Sequence, residues 1–542
     1  MTIKEQIEHA LKLPVSPSNV DLCDYQCNVA FQMAKEQKKN PLEIAKEIAA
    51  QFKSDVATAT ACPPGFVNFK VTDTALGKTA QEILKTGKLP LCAQKSRTVF
   101  FDYGGANVAK ELHIGHLRSP IIGEALKRVF KAFGHKTISD TFFGDWGLQM
   151  GLVLAQLIYE NYIVDDNFVK PVTLDTFNEV YPAASKRSKT EHEFRAYAEE
   201  ITLELQNKTQ PYFSLWQHIR KISVDKISES YKTLNCTFDT LKGESDAQPY
   251  INEVLAILKK HGAYESNGCL VMDVKTDSDK KPMPPVILQK GNGGDLYATT
   301  DIATIYYRYK NFKPDEFIYC TDFRQELHIE QLFRVAVKAN LVPPQTKLTH
   351  VSYGTMNGTD GKPFKTRSGE TVKLDDVIGI VTEAAAKRVK NPSQVGDLTA
   401  QKIGLAALKF ADLSNNVRKD YVFDIDKFTS FEGKTGPYLL YTIARINSIF
   451  NKADSGSAAN VLLNRDILMK VIKLADSYTV SAQNYTLNGI VDAAYELAAE
   501  FNLFYANVKI ADNPSALALC KVVKTALLFA LDTLAIQPVD EM

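Results

Sequence analysis

The sequence has few of the features that would assign it to a specialised class of protein. In its 542 residues no hydrophobic run approaches the roughly 20 residues that a membrane span needs. The first residues, MTIKEQIEHALKL, lack both the apolar core of a signal peptide and the arginine-rich bias of a transit peptide. Internal repeats and low-complexity tracts are also absent from the sequence. We therefore expect a soluble, cytoplasmic globular protein.

Cysteine content and net charge exclude further classes. The eight cysteines are scattered, and Cys23 with Cys27 has no second pair at metal-ligand spacing, so neither a zinc site nor a disulfide framework is indicated. We interpret them as reduced core thiols. The net charge is +1, from 64 basic and 63 acidic residues. Bulk charge therefore gives no sign of a nucleic-acid partner, and only local basic faces could bind one.

Length and periodicity predict several domains. A chain of 542 residues is too long for one hydrophobic core and should hold about three or four domains. Strand and helix patterns alternate over 97–150 and resume after 290, as a doubly wound parallel sheet requires. From 385 onward apolar residues recur at i, i+3, i+4 and i+7, which predicts a helical bundle.

The most informative stretch is 97–123, RTVFFDYGGANVAKELHIGHLRSPIIG, where a buried-strand pattern meets two glycines and then a helical pattern. A helix that starts after a strand forms an anion site, because unpaired N–H groups and the positive end of the helix dipole point outward. His113 and His116 would add side-chain donors, and Lys110 a mobile positive charge. Gly115 lacks the Cβ that would keep a nucleotide off the backbone. Taken alone, the tetrad His-Ile-Gly-His at 113–116 fits a pair of surface histidines at a helix start as well as it fits an anion site.

In the form NVAKELHIGHLRS, this stretch resembles the first signature of class I aminoacyl-tRNA synthetases. Together with GDWGLQMG at 144–151, it resembles the arginyl-tRNA synthetase family in particular, and the resemblance covers essentially the whole chain. It implies an α/β, Rossmann-type catalytic domain over 91–385, with a connective insertion at about 152–290. A small α/β domain over 1–90 would precede it, and an all-α anticodon-binding bundle over 386–542 would follow.

In the N-terminal unit the patterns predict two amphipathic helices, DYQCNVAFQMAKEQ and NPLEIAKEIAAQFK, a strand, GFVNFKV, and a linker at 86–90. The resemblance implies that this unit contacts the D-loop of tRNA. Phe66 would stack on a splayed base and Asn68 would hydrogen-bond it. The plain alternative is that Phe66 lies in the core and Asn68 is merely exposed.

Tyr297 and Asp301 are four residues apart, so they lie on one face of a predicted helix. A buried-strand pattern, a turn and a helix follow and put Gln325 at the carboxyl end of a strand, where ligands of open α/β sheets bind. An alternative for Asp301 is an exposed carboxylate paired with Arg308 or Lys310.

The resemblance also implies an arginine site. It assigns the site to Asp102, Asn107, Tyr297, Asp301 and Gln325. The two carboxylates match the contacts that the family makes to the guanidinium, and the two amides would hold the α-amino and α-carboxylate groups. Gly104-Gly105 stands where other members of the family carry two small hydroxyl residues. A serine contact to the substrate amino acid is therefore missing here, and backbone N–H groups are expected to replace it.

A glycine-rich, basic loop follows a strand pattern in the segment 349–377. Lys365, Arg367 and Ser368 resemble a degenerate form of the second class I signature, KMSKS. Lys365 and Arg367 would hold the triphosphate and stabilise the leaving pyrophosphate. Arg367 stands where the usual motif has its second lysine, a departure that Lys110 is thought to cover in the family. The plain alternative is a solvated basic turn.

ATP and a metal ion are the cofactors that the resemblance implies. It assigns ATP binding to His113, Gly115, His116, Gly354, Met356, Lys365 and Ser368. Mg²⁺ would accompany ATP, with phosphate oxygens and waters supplying most of its octahedron. No hydrolytic editing site is expected in the insertion.

The helical bundle carries candidate residues for reading the anticodon. Tyr441 and Arg445 share one helix face in TGPYLLYTIAR, and an aromatic platform beside a guanidinium suits an unstacked base. The terminal AIQPVDEM also resembles the family, which implies that Met542 lies against such a base. The plain alternative for this last residue is disorder.

The implied reaction has two steps. The carboxylate of arginine attacks the α-phosphate of ATP, and the 3′-terminal adenosine of tRNA then takes the arginyl group. The resemblance further implies a monomer that needs tRNA(Arg) to activate arginine. One alternative is a class I synthetase of the glutamyl, glutaminyl or cysteinyl type, although the zinc cysteines of the last are missing. A second alternative is a tRNA-binding paralogue without catalysis, which the presence of both signatures disfavours.

Overall fold

The computed structural model of the chain describes residues 1–18, 23–92, 94–289, 297–358, 360–361, 372–389, 396–452 and 460–542. A small antiparallel sheet with helices comes first, a parallel sheet flanked by helices follows, and a helical bundle ends the chain. This order of elements is the one that the sequence predicts.

The N-terminal unit packs helices against one antiparallel sheet. Its elements are α1 (Ile3–Leu11), β1 (Ser16–Pro17), β2 (Tyr25–Cys27), α2 (Ala30–Gln37), α3 (Pro41–Gln51), β3 (Ala57–Cys62), β4 (Phe66–Val71) and α4 (Asp73–Thr86). The strand order is β1-β2-β4-β3. At the end of α4, Gly87 has a φ of 66°, the left-handed conformation that ends many helices, so α4 ends where the linker is predicted.

Strand β2 corrects one prediction. The helix predicted over 24–37 begins only at Ala30, because 25–27 pair antiparallel with β4. Tyr25 and Cys27 are buried on one side of the sheet, and alternate burial is the period of a strand. The partner strand lies far along the chain, so the local pattern could not reveal the pairing.

The middle of the chain begins with the predicted strand, turn and helix. Its elements are β5 (Thr98–Asp102), a 3₁₀ turn (Ile114–His116), α5 (Arg118–Ala132), β6 (Lys136–Phe143), α6 (Leu148–Tyr159), β7 (Ile163–Val164), β8 (Asn167–Phe168), α7 (Leu174–Thr190), α8 (His192–Gln206), α9 (Tyr212–Thr233), β9 (Thr240–Gly243), α10 (Glu244–Ala247), a 3₁₀ turn (Gln248–Tyr250), α11 (Ile251–Lys260), β10 (Tyr264–Ser266), β11 (Cys269–Met272) and β12 (Val286–Gln289). β5 is buried at every position after the first, as a central parallel strand should be.

The insertion expected at about 152–290 is not continuous. Helices α6 to α9 leave the sheet, but β9 then returns to it and pairs in parallel with β6. Strands β10, β11 and β12 form a separate antiparallel sheet afterwards. β9 has the sequence TLKG, which contains no apolar run, so its place in the sheet could not be predicted from periodicity.

The second half of the fold completes the parallel sheet. Its elements are α12 (Tyr297–Phe312), β13 (Glu316–Asp322), a 3₁₀ turn (Phe323–Gln325), α13 (Glu326–Lys338), β14 (Lys347–Tyr353), β15 (Met356–Asn357) and α14 (Leu374–Ala386). The strand order of the parallel sheet is β14-β13-β5-β6-β9. The chain builds outward from β5 in one direction and from β13 in the other, so the order reverses between these two strands.

The last part of the chain is helical, as predicted. Its elements are α15 (Asp397–Leu413), β16 (Tyr421–Val422), α16 (Ile425–Phe428), α17 (Gly436–Lys452), α18 (Arg465–Asn484), α19 (Asn488–Asn507) and α20 (Pro514–Thr533). β16 pairs in parallel with β15, which ties the bundle to the segment after the parallel sheet. The bundle also meets the N-terminal unit, where the Tyr25 hydroxyl donates to Asp476 at 2.5 Å.

Helix α20 bears on the expectation that no hydrophobic run reaches membrane length. It has 20 residues and is apolar enough, by length and composition alone, to cross a membrane. Half of its most apolar window is buried inside the protein, and Leu519, Val523 and Leu527 belong to the hydrophobic core. A core helix that is hydrophobic on most sides has the same composition.

Candidate active site

A cavity of about 300 Å³ opens at the carboxyl ends of β5 and β13, where the sheet reverses its strand order. Ligands of open α/β sheets bind at such a position. The residues selected from the sequence that line it are Asp102, Asn107, His113, Gly115, His116, Tyr297, Asp301 and Gln325. Segments far apart in the chain therefore meet in one site.

His113 and His116 face each other just before α5, with ring centroids 3.9 Å apart. The Gly115 N–H donates to Nδ1 of His113 at 3.0 Å, and the His113 N–H donates to Nδ1 of His116 at 3.1 Å. Because each Nδ1 accepts a hydrogen bond, each neutral ring carries its proton on Nε2. The pair therefore offers two Nε2–H donors to a ligand.

The protonation of these imidazoles is set by their surroundings. Burial lowers the pKa of His116 to about 3, with a further contribution from His113. Burial also lowers the pKa of His113, and the charges of Lys110 and Arg324 add to the effect. Both rings are therefore neutral at pH 7, and positive charge for an anion has to come from other side chains.

Gly115 leaves room for the histidine pair. A Cβ at this position would lie 2.8 Å from Cε1 of His113, so any side chain here would displace the ring. The predicted anion site relies on unpaired backbone N–H groups. The N–H groups of His113 and Gly115 are instead bonded to the imidazoles.

Asp301 supplies a fixed carboxylate to the cavity. It accepts a hydrogen bond from Nε2 of His328 at 2.5 Å, and the ring of Tyr297 packs on His328 with centroids 4.5 Å apart. Burial raises the pKa of Asp301, and the hydrogen bonds from His328 and Tyr297 partly offset this rise. Asp301 is buried, so the alternative of an exposed carboxylate paired with a neighbouring cation is wrong.

Glu244 is a cavity residue that the sequence analysis missed. It follows β9 directly and lines the cavity with Asp301. Burial, together with the charges of Asp301 and Asp145, raises the pKa of Glu244 to about 8. Its position after a strand of the parallel sheet is the signal that could have identified it. That signal was hidden because β9 has no apolar pattern.

Asp102 lines the cavity as predicted but is bonded to an arginine of the protein itself. Nη1 of Arg308 donates to Asp102 and, at 3.0 Å, to the hydroxyl of Tyr319. Nη2 of Arg308 donates to Asp140 at 3.0 Å. The Arg308 side chain is fully buried. Burial raises the pKa of Asp102, and Arg308 lowers it in part. A contact between Asp102 and a substrate guanidinium stays a prediction.

In the Gly104-Gly105 turn, one of the two backbone N–H groups is already bonded within the protein. Gly104 has a φ of 72°, and its N–H donates to Oγ of Ser119 at 2.8 Å, so this N–H is not available to a substrate. A Cβ at Gly105 would lie 3.0 Å from the carbonyl oxygen of Phe142, which leaves little room for a side chain. Asn107 follows and forms a parallel bridge with Gly144.

The catalytic candidate Lys110 and two residues assigned to ATP, Gly354 and Met356, lie outside the cavity lining. Nζ of Lys110 lies over the Tyr181 ring, 4.0 Å from its centroid. The carbonyl of Gly354 accepts a hydrogen bond from a buried arginine of α5 at 2.7 Å. Met356 is buried in β15, where it pairs with Tyr421 of β16. Three predicted residues lie outside the part of the chain that the structure describes: Lys365, Arg367 and Ser368.

Three protein-family models match successive segments of this chain. A family model described as "tRNA synthetases class I (R), catalytic domain" matches residues 79–425. Models of the "Arginyl tRNA synthetase N terminal domain" and the "DALR anticodon binding domain" match residues 2–71 and 439–542. The chain belongs to the arginyl-tRNA synthetase family. The glutamyl, glutaminyl and cysteinyl alternatives are not favoured.

Curated relatives agree with this membership. An arginine–tRNA ligase of Alkaliphilus oremlandii is 43% identical over 516 residues, which cover 90% of this chain and 88% of the relative. One of Agathobacter rectalis is 40% identical over 526 residues, with coverage of 90% and 88%.

Solved arginyl-tRNA synthetases share the fold. The one from Plasmodium falciparum has a TM-score of 0.85 at 24% identity and covers 100% of this chain and 99% of its own. The one from Thermus thermophilus has a TM-score of 0.81 at 22% identity, with coverage of 100% and 99%. At this identity the likeness establishes the fold alone.

In this arginyl-tRNA synthetase family member, the two D-loop candidates lie on one face of β4. Phe66 is half-buried, and its ring packs edge-on against Phe31 with centroids 5.0 Å apart. Oδ1 of Asn68 accepts a hydrogen bond from Nε2 of Gln26 at 2.8 Å. Phe66 is therefore not a fully buried core residue, and both side chains keep part of their surface exposed.

The two anticodon candidates are parts of one cluster between α17 and α19. The guanidinium carbon of Arg445 lies 4.6 Å from the ring centroid of Tyr441 and 4.7 Å from that of Tyr505. Arg445 also donates to the Tyr441 hydroxyl at 2.8 Å and to Oδ1 of Asn502 at 2.6 Å. The cluster is thus a preorganised aromatic and guanidinium platform. Met542 packs, partly buried, against the hydrophobic core.

Proposed function

We propose that this chain forms arginyl-adenylate from L-arginine and ATP in the cavity and then transfers the arginyl group to the 3′-terminal adenosine of tRNA(Arg). The observation that carries the proposal is the composition of the cavity wall. Asp301 and Glu244 supply carboxylates, whereas the two imidazoles and Arg324 supply donors. Such a site suits a guanidinium on one substrate and phosphates on the other.

The guanidinium of arginine would bind between Asp301 and Glu244. Its planar fork of N–H donors matches carboxylate acceptors, and hydrogen bonds between charged groups are strong when they are buried. Asp301 is held by His328 and Tyr297, so this acceptor is oriented before the substrate arrives. Asp102 stays in the proposed guanidinium set, although Arg308 occupies one of its oxygens.

The backbone end of arginine would be held by amides. Asn107 and Gln325 line the same cavity, and their side chains can both donate and accept hydrogen bonds. They would bind the α-amino and α-carboxylate groups and so orient the carboxylate for attack on the α-phosphate.

The phosphates of ATP would bind beside the imidazole pair. The Nε2–H groups of His113 and His116 would donate to phosphate oxygens as negative charge builds in the transition state. Because both rings are neutral, they contribute dipoles and no net charge. Positive charge would come from Lys110, and from Lys365 and Arg367 of the signature loop. Further ATP contacts are proposed for Gly115, Gly354, Met356 and Ser368.

Mg²⁺ would enter the site with ATP. In the described ranges no group of three or more His, Cys, Asp or Glu side chains is arranged to hold a metal ion. Phosphate oxygens and waters would therefore supply most of its ligands. We also propose, from the family resemblance, that the protein acts as a monomer in the cytoplasm.

tRNA(Arg) would contact two further parts of the chain. Phe66 and Asn68, in the domain proposed for 1–90, would bind a splayed base of the D-loop. Tyr441 and Arg445, in the domain proposed for 386–542, would bind an anticodon base together with Met542. The catalytic domain proposed for 91–385 would receive the acceptor end.

Charging of tRNA by the purified protein tests the proposal. With ATP, Mg²⁺ and unfractionated tRNA, we expect arginine to be the only one of the proteinogenic amino acids that is esterified. Esterification of glutamate, glutamine or cysteine instead, or of none, would refute it. ATP–pyrophosphate exchange with arginine should be negligible until tRNA is added. Full exchange in a nuclease-treated sample would contradict the tRNA requirement alone.

A further inference from the structure

The loop after β6 is hydrogen-bonded to two segments of the cavity, one that carries Asn107 and one that carries Glu244. We propose that Asp145, in this loop, is a positioning residue for arginine: it fixes the backbone on both sides of Glu244 and so sets the place of that carboxylate. The inference rests on the proposed function, because it takes Glu244 to be a guanidinium contact.

The carboxylate of Asp145 is fully buried and accepts three hydrogen bonds. Oδ1 accepts from the Ser245 N–H at 2.9 Å, and Oδ2 accepts from Oγ of Ser245 at 2.8 Å. Oδ2 also accepts from Nε of Arg220 at 2.5 Å. Ser245 is the residue directly after Glu244, so its backbone and side chain are both anchored to Asp145.

The residue before Glu244 is held against the same carboxylate by close packing. A Cβ at Gly243 would lie 2.4 Å from Oδ2 of Asp145, so the carboxylate rests on the backbone where only glycine leaves room. Glu244 thus lies between two residues that contact Asp145. A shift of its backbone would break the Ser245 hydrogen bonds or press Gly243 into the carboxylate.

The electrostatics favour a geometric role for Asp145 over a favourable charge effect. Its negative charge raises the pKa of Glu244, so it makes ionisation of that neighbour harder. Burial also raises the pKa of Asp145, and Arg220 with Ser245 offsets part of the rise. Burying this carboxylate is costly, but three donors converge on it. An amide in its place could not accept hydrogen bonds from all three.

The same loop also joins the opposite segment of the cavity. The Gly144 carbonyl accepts from the Val108 N–H at 2.9 Å, and the Gly144 N–H donates to the Ala106 carbonyl at 3.0 Å. These bonds flank Asn107. The Asp145 carbonyl accepts from Nε1 of Trp216 at 2.7 Å, which fixes the loop from α9. The dipeptide Gly144-Asp145 therefore sets the separation between Asn107, the proposed α-amino contact, and Glu244, the proposed guanidinium contact.

Arginylation kinetics of Asp145→Asn test the proposal. The variant keeps the side-chain size but turns one acceptor toward Arg220 and Ser245 into a donor. We expect kcat/KM for arginine to fall by about 10- to 100-fold, the loss typical of a charge-assisted hydrogen bond, while KM for ATP stays within about twofold. Asp279→Asn is the matched control, because Asp279 also accepts from an arginine and a backbone N–H but does not line the cavity. It should behave like the parent.

A double-mutant cycle separates positioning from general damage. If Asp145 acts through Glu244, Asp145→Asn should add less than about threefold to the loss already caused by Glu244→Gln. Additive losses, or equal losses for arginine and ATP, would overturn the proposal. If Asp145→Asn does not fold, Ser245→Ala removes a single contact and should still raise KM for arginine selectively; an unchanged KM overturns the proposal. The proposed function fails separately, if the parent protein does not charge arginine.

Discussion

The affinity for arginine should rise steeply with pH between 6 and 8, because Glu244 must lose a proton before it can pair with a guanidinium. Burial, with Asp301 and Asp145 nearby, raises its pKa to about 8 in the free protein. At pH 7 about one Glu244 in ten is then ionised. A bound guanidinium favours the ionised form, so binding should expel the proton.

The size of the effect follows from this pKa. Each pH unit below it costs about tenfold in affinity, or about 1.4 kcal/mol. The dissociation constant for arginine should fall about ninefold from pH 6 to pH 7 and about fivefold from pH 7 to pH 8. About 0.9 proton should be released for each arginine bound at pH 7. His116, with a pKa of about 3, is neutral over this range and adds no proton of its own.

Isothermal titration calorimetry in two buffers measures this release. Phosphate and Tris differ in their ionisation enthalpy, so the apparent binding enthalpy at pH 7 should differ between them in proportion to the protons released. Glu244→Gln should abolish most of the difference and flatten the pH dependence, and comparison with the parent cancels the titration of arginine itself. An enthalpy that is equal in both buffers, with a flat pH profile for the parent, would refute the reasoning.

Three further predictions concern other parts of the site. Asp301→Ala should lower kcat/KM for arginine by about two to three and a half orders of magnitude, because an uncompensated buried charge costs roughly 3–5 kcal/mol; KM for ATP should change much less, and kinetics within a few-fold of the parent would sink the pocket assignment. Arg308→Met should lower the free energy of unfolding by about 3–5 kcal/mol, since it strands the buried carboxylates of Asp102 and Asp140. Arg334→Met, which breaks a pair nearer the surface, should cost much less. Urea unfolding followed by the fluorescence of Trp146 and Trp216 measures this, and equal losses for the two variants would contradict it. Tyr441→Ala and Arg445→Ala should each remove stacking worth about 1–3 kcal/mol per base; if they charge anticodon-mutant and wild-type tRNA in the same ratio as the parent, the contact is wrongly assigned.

Local patterns were enough to predict the elements that carry the site. The run 97–123 contains its own strand, turn and helix signals, so the place of His113 and His116 follows from neighbouring residues. The spacing of Tyr297 and Asp301 likewise fixes their common helix face. Family resemblance supplied the chemistry, because a tetrad of this kind is ambiguous by itself.

Features that depend on distant partners could not be predicted in this way. Strand β2 pairs with β4, and β9 pairs with β6, in both cases across long stretches of chain. The Arg308 guanidinium is paired with Asp102 and Asp140, which belong to two other strands. No periodicity marks such pairings, since they are decided by which side chains the packed sheet brings together.

The distant pairings also explain how the cavity holds several acids before any substrate binds. A buried carboxylate needs a positive partner, a hydrogen-bond donor or a proton. Asp102 has the guanidinium of Arg308, and Asp301 has the imidazole of His328. Among the residues that the structure describes, no cation lowers the pKa of Glu244, and its raised pKa means that it keeps a proton instead. An incoming guanidinium can replace that proton without displacing any partner that the protein needs, which makes Glu244 the acid best suited to discriminate a cationic substrate from a neutral one.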